Sequence, residues 1–178
     1  MSEITAKRSA VKQALHALFL VFRVGNERYA LKAIEVAEVL PCLPLKPIPH
    51  VPAWVAGVFA YRGTVVPVID LSALTFGMPA QARTSTRLVL VNYRPDETAE
   101  TQLLGLILEQ ATDTLRCDPA DFQPYGLDNR QTPYLGPVRK DEGGVLQWVR
   151  VGDLLDDQVR ALLFPSPPMD PALLQERP

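Results

Sequence analysis

Residues 51–78 hold the feature that most constrains the fold, a tight turn between two short apolar strands. The first predicted strand covers residues 58–61. The second, residues 64–71, is rich in β-branched side chains, which suit a pleated sheet. Between them stands Arg62-Gly63, where glycine supplies the permissive backbone that a tight reversal requires. The pattern predicts a β-hairpin with the charge of Arg62 at its tip, within reach of a partner.

Proline content narrows the fold class further. The 178-residue chain has seventeen prolines, about twice the usual frequency of roughly 5%. Proline suits turns, strand starts and sheet edges, so this content argues against a helical bundle. Many short strands with few long helices favour small antiparallel barrels, and we expect an all-β protein with short helices.

The chain divides into a strand-rich middle and two different ends. Residues 1–17 are expected to form a flexible or helical extension, and the Pro-rich residues 165–178 a mobile tail. Residues 18–164 form the predicted domain, with two strand-rich halves joined by a connector near residues 75–85. Residues 33–40 are predicted to form a short helix that ends at a proline.

Cysteine usage and hydropathy indicate the compartment. Cys42 and Cys117 lie far apart and show no metal-ligand spacing, which fits a reducing compartment. Apolar runs are far shorter than the roughly 18 residues of a membrane span. The N-terminal residues also lack the apolar core of a signal peptide. We expect a cytoplasmic protein without direct membrane insertion.

The residue types that support catalysis occur without the partners they need. His50 stands between prolines, and His16 would need a helical bundle to serve as a phosphoacceptor. Asp70 ends an apolar strand but lacks the acidic pair that would hold Mg²⁺, so we expect it to cap a turn or helix. Glu109 has no obvious carboxylate partner, and no nucleotide-binding or nucleophile motif occurs. We predict no enzyme, no cofactor and no metal.

Two binding functions remain open on the residues alone. Residues 41–47, PCLPLKP, space prolines three apart as polyproline ligands do, but a constrained link between the predicted helix and the turn at residue 51 is the favoured interpretation. A small β-barrel can also bind nucleic acid, but the basic residues are scattered and the strand aromatics lie in apolar runs. A protein-interaction module is therefore favoured over a nucleic-acid-binding one.

The central segment resembles the signature of CheW-like coupling proteins, which join chemoreceptors to a histidine kinase. Its pattern is V-P-x-x-x-x-G, continuing G-x-x-x-x-R-G-x-x-x-P-V-x-D-L to residue 71. The opening FLVFRVGNERYALKAIEVAEVL and the later LLGLILEQATDTLRC are similar to further segments of the family. The resemblance covers residues 19–164. It implies two packed, five-stranded SH3-like β-barrels with a hydrophobic groove between them, and a non-catalytic adaptor function.

The resemblance also implies site residues. The receptor side is expected at Val36 and Arg62, together with Tyr61, which offers a rigid and partly polar contact surface. The expected kinase side includes Glu38 and Val39, which would face the SH3-like regulatory domain of the kinase. Three glycines are expected at turn and packing positions rather than at contacts: Gly57, Gly63 and Gly105.

Departures from the family pattern bear on partner identity. The family commonly has Asn-Leu before Arg-Gly, whereas this chain has Ala60 and Tyr61. The loops at residues 94–102 and 118–133 are also longer and more acidic than usual. These differences favour a coupling protein of an alternative chemosensory pathway, of the Wsp type.

Overall fold

The structure is a computed structural model that describes residues 16–166. It is built from nine strands, two short α-helices and three 3-10 turns, which confirms the predicted all-β class. The predicted N-terminal extension and Pro-rich tail lie almost wholly outside the described residues. The strands are β1 (Ala17–Val24), β2 (Glu27–Lys32), β3 (Val36–Pro41), β4 (Val55–Tyr61), β5 (Thr64–Asp70), β6 (Arg87–Tyr93), β7 (Gln102–Cys117), β8 (Leu135–Asp141) and β9 (Gly144–Val149). The helices are α1 (Leu71–Phe76) and α2 (Asp157–Leu163).

The first barrel contains β3, β6, the first half of β7, β5 and β4, paired in that order. All of these pairs are antiparallel except β5 with β7. The barrel closes where Lys46, after β3, meets Val58 of β4. The two residues exchange both backbone hydrogen bonds, each 2.9 Å long.

The second barrel repeats this arrangement with other strands. The second half of β7 pairs with β1, β1 with β2, β2 with β9, and β9 with β8. Only β2 and β9 run parallel. Gln123, after β7, closes the barrel by exchanging backbone hydrogen bonds of 2.8 and 2.9 Å with Val138 of β8.

The chain passes from one barrel to the other within β7. Gln110 has a left-handed backbone (φ 47°), and three residues of β7 from Gln110 onward stand opposite the single residue Phe22 of β1. Residues 77–86, near the expected connector, instead join α1 to β6 within the first barrel. The crossing therefore lies in a bulged strand that both barrels share.

The two barrels bury a common core. Its side chains come from strands of both barrels and from α1 and α2, and Phe22, Leu31, Ile69, Tyr93 and Leu106 are among those almost fully buried. A smaller aromatic cluster around Phe19 lies within the second barrel. Among residues 16–166, no helix combines the length and hydropathy that crossing a bilayer requires.

The predicted helix at residues 33–40 is wrong. A 3-10 turn covers Ala33–Glu35, and the chain then extends as β3 against β6, with Val39 opposite Val89. The β-branched residues Val36 and Val39 favour an extended backbone, and pairing with a buried strand reinforces that preference.

Candidate functional site

The tip of the β4–β5 hairpin displays Arg62. Arg62 and Gly63 both have positive φ, 47° and 81°, as the two central residues of a type I′ turn do. Glycine adopts this conformation freely, whereas for arginine it costs about 1–2 kcal/mol. The Arg62 side chain is 78% exposed, so this backbone presents a guanidinium to solvent.

Glu38 of the neighbouring strand β3 lies against this tip. The Tyr61 hydroxyl donates a hydrogen bond to the Glu38 carboxylate, and the Arg62 Nη2 lies 3.6 Å from the same Oε2 atom. The Arg62 guanidinium also sits 5.1 Å from the centre of the Tyr61 ring. Because an exposed ion pair contributes only about 0–1 kcal/mol, Glu38 orients Arg62 without making it unavailable to a partner.

The two valines of β3 differ in accessibility. Val36 is partly buried against the common core, opposite Val91 of β6. A register shift between Val36 and Glu38 interrupts the pairing there, and Val39, further along, is 44% exposed. Val39 therefore offers an apolar contact surface, whereas Val36 mainly supports the strand.

The structure thus brings Tyr61, Arg62 and Glu38 into direct contact, although the first two were expected on the receptor side and Glu38 on the kinase side. Nearby Ile34 was not singled out from the sequence, yet it is 85% exposed. The predicted helix did not distinguish Ile34 from the other apolar residues of that segment. A turn at Ala33–Glu35 would have indicated an exposed position.

Each of the three glycines has its own structural role. Gly63 lies in the turn, with open space around its α-carbon. Gly57 and Gly105 lie within strands. A Cβ on Gly57 would be 2.5 Å from the Lys46 carbonyl oxygen, and one on Gly105 would be 2.8 Å from Val68 Cγ2. Glycine is required at these two positions because neighbouring atoms leave no room for a Cβ, and not because the chain turns there.

The residues considered for catalysis have structural contacts. Asp70 caps α1 as predicted, since its Oδ1 accepts a hydrogen bond from the Ala73 amide. Glu109 accepts one from the Gln81 amide. Cys117 is buried, and burial raises the pKa of its thiol. Among residues 16–166, no group of three or more potential ligands is arranged to hold a metal ion.

Comparison with known proteins identifies similar sequences. The family model of the CheW-like domain matches residues 18–159, which include all nine strands apart from the first residue of β1. The chemotaxis protein CheW of Rhizobium meliloti (strain 1021) is 32% identical over 105 residues. That alignment covers 59% of this chain and 64% of the relative, so the chain spans less than two thirds of it. The chemotaxis protein CheW of Helicobacter pylori is 30% identical over 141 residues, covering 77% of this chain and 80% of the relative.

A solved structure shows the same fold. The scaffolding protein TtCheW from Thermoanaerobacter tengcongensis superposes with a TM-score of 0.68 at 20% sequence identity. The superposition covers 79% of this chain and 88% of TtCheW. The likeness therefore extends over both barrels.

Proposed function

Because this chain belongs to the CheW-like domain family, we propose that it is a non-catalytic adaptor that couples a chemoreceptor to a CheA-like histidine kinase in bacterial signal transduction. The observation that carries the proposal is the family match, which spans both barrels and the hairpin that displays Arg62. The expected setting is the cytoplasmic side of membrane receptor arrays.

The proposed receptor contact centres on Arg62 and Tyr61. A guanidinium can hold a carboxylate or two carbonyl oxygens of a helical receptor tip in a forked geometry. Tyr61 adds an aromatic face beside it, and Val36 supports the strand from which Glu38 reaches the same tip. An apolar groove between barrels would accept a helix through anchors spaced three and four residues apart.

The proposed kinase contact uses the adjoining surface of β3. Val39 is exposed there, and the SH3-like regulatory domain of the kinase is the proposed partner. An adaptor that binds both proteins raises their effective concentration for each other. It also transmits the receptor state if the two receptor conformations differ in their free energy of binding to it.

The experiment is a co-purification of the tagged full chain from its host, comparing wild type with Arg62→Ala and Arg130→Ala. Arg130 is the matched control, since its side chain is 88% exposed and pairs with the local acid Asp128. We expect Arg62→Ala to keep its stability within about 0.5 kcal/mol, as exposed substitutions usually do. Recovery of the receptor should fall for Arg62→Ala and stay unchanged for Arg130→Ala.

A second variant separates the two partners. Val39→Asp should reduce kinase recovery and leave receptor recovery intact, because it adds a charge to an exposed apolar side chain of β3. Glu38→Ala is less informative, since Glu38 contacts both Tyr61 and Arg62. Recovery of neither a receptor nor a kinase with wild-type protein would refute the adaptor function and favour an interaction module outside chemotaxis.

A further inference from the structure

Two buried carboxylates hold the exposed segment 77–86, which we call the strap. Asp70, at the end of β5, and Glu109, in β7, are only 7% and 9% exposed. Asp70 Oδ2 accepts a hydrogen bond of 2.8 Å from the Ala80 amide, and Glu109 Oε1 accepts one of 2.5 Å from the Gln81 amide. Two consecutive backbone amides are thus held by β5 of the first barrel and by β7 at the point where it leaves that barrel.

The strap has little else to attach it. Most of its residues are exposed; only Ala80 and Ser85 are half-buried, and Thr86 is buried at its end. Its other hydrogen bonds are local: the buried Thr86 hydroxyl accepts one from the Arg83 amide and donates one to the Gln81 carbonyl oxygen. Segments with few buried apolar contacts open at low free energy, so the two carboxylates carry most of the attachment.

Glu109 stands where β7 leaves the first barrel. The next residue, Gln110, has the left-handed backbone that begins the bulge, and Glu109 itself pairs with Arg23 of β1 in the second barrel. A left-handed conformation is unfavourable for glutamine, so the surrounding contacts must hold it. The hydrogen bond from the Gln81 amide therefore ends on Glu109, the residue next to the strained Gln110.

We propose that the strap is a latch that fixes the crossing between the two barrels, with Asp70 and Glu109 as its two points of attachment. It opens as a local unit while the barrels stay folded. Hydrogen bonds to a charged acceptor are stronger than neutral ones, which suits attachment of an exposed segment. Once released, the amides of Ala80 and Gln81 can form hydrogen bonds to water, which offsets part of the loss.

Amide hydrogen exchange of the full chain tests the latch. In wild type, the Ala80 and Gln81 amides should exchange faster than those of central β7 residues such as Leu106. In Glu109→Ala, exchange at Gln81 should accelerate by about tenfold or more, as expected for loss of a bond to a charged group. Glu109→Gln retains a side-chain oxygen but not the charge, so its exchange rate at Gln81 should lie between those of wild type and Glu109→Ala. Equal exchange at Gln81 in wild type and Glu109→Ala would overturn the latch.

A substitution at Asp70 can test its role in the latch separately from its role as the N-cap of α1. Its Oδ1 caps α1 while its Oδ2 holds Ala80, and asparagine can replace only one of these acceptors. Because asparagine is also a good N-cap, Asp70→Asn should accelerate exchange at Ala80 while leaving α1 protected. Acceleration across α1 and β5 as well would contradict a local opening.

A distance measurement tests whether the latch fixes the crossing. Spin labels at Val65→Cys and Val145→Cys, both exposed in wild type, report on β5 of the first barrel and β9 of the second. Cys42→Ser removes the exposed thiol, and Cys117 is buried. Glu109→Ala should broaden the distribution of distances between the labels, and Glu109→Gln should broaden it less. An unchanged distribution in Glu109→Ala would overturn the link to the crossing.

Discussion

Closure of the first barrel should depend on the absence of a side chain at Gly57. Its φ of 143° is one that residues with a Cβ rarely adopt. A Cβ there would also lie 2.5 Å from the Lys46 carbonyl oxygen and 3.1 Å from Leu45 Cβ. That carbonyl accepts one of the two hydrogen bonds by which Lys46 and Val58 close the barrel. Gly57→Ala therefore strains the backbone and separates the closing pair.

The magnitude follows from these two effects. Holding a residue with a Cβ in a sparsely populated region of φ and ψ costs about 1–3 kcal/mol. Losing two backbone hydrogen bonds adds about 0.5–1.5 kcal/mol each. The expected loss of about 4 kcal/mol is a large part of the roughly 5–15 kcal/mol by which domains are stable.

Urea unfolding of Gly57→Ala beside Gly63→Ala measures this loss. Gly63 also has positive φ, but a Cβ there meets no atom within 4 Å, so its substitution gives the cost of conformation without a clash. We expect about 1–2 kcal/mol for Gly63→Ala and at least about 2 kcal/mol more for Gly57→Ala. Equal losses for both variants would show that the strand tolerates displacement at Lys46, and the reasoning on barrel closure would fail.

Two further substitutions test other contacts. Gly105→Ala places a Cβ 2.8 Å from the branched side chain of Val68, and unfolding in urea should show a loss of about 1–3 kcal/mol from overpacking. The hydrogen bonds from Arg28 lower the pKa of Asp141 below its ordinary value of about 3.9. Ionised Asp141 therefore stabilises the fold at pH values above about 3.9. This contribution disappears as the pH falls through the lowered pKa. Between pH 7 and pH 2, the free energy of unfolding should therefore fall less steeply in Asp141→Asn than in wild type. An equal pH dependence would mean that this ion pair adds nothing.

Local sequence patterns predicted the hairpin and its charged tip because both depend on neighbouring residues. The apolar run of β5, the glycine after Arg62 and the cap at Asp70 are all set by local backbone preferences. The extended state of Val36–Pro41 was missed because β6, which pairs with it, lies about fifty residues further along the chain. The contact between Tyr61 and Glu38 could not be predicted for the same reason, since it requires the order of strands in the barrel.

The second barrel combines strands from both ends of the domain, so a division into two successive strand-rich halves does not describe this chain. The first barrel uses β3, β4, β5, β6 and the first half of β7 in chain order. The second uses the remainder of β7, β8 and β9, and then returns to β1 and β2. Each barrel has one parallel pair in the same relative place, β5 with β7 and β9 with β2, so the two are circular permutations of one arrangement.

This permutation joins the two ends of the domain and makes the second barrel depend on distant contacts. Arg28 of β2 binds Asp141 of β8 across 113 residues of sequence, and the β2–β9 pairing spans a similar distance. Closing so long a loop loses chain entropy before the contacts form, which slows folding. The first barrel can form from a continuous stretch, whereas the second must wait for the C-terminal hairpin. The bulge at Gln110, through which β7 enters both barrels, thus separates a barrel formed from one continuous stretch of chain from a barrel that depends on contacts between distant residues.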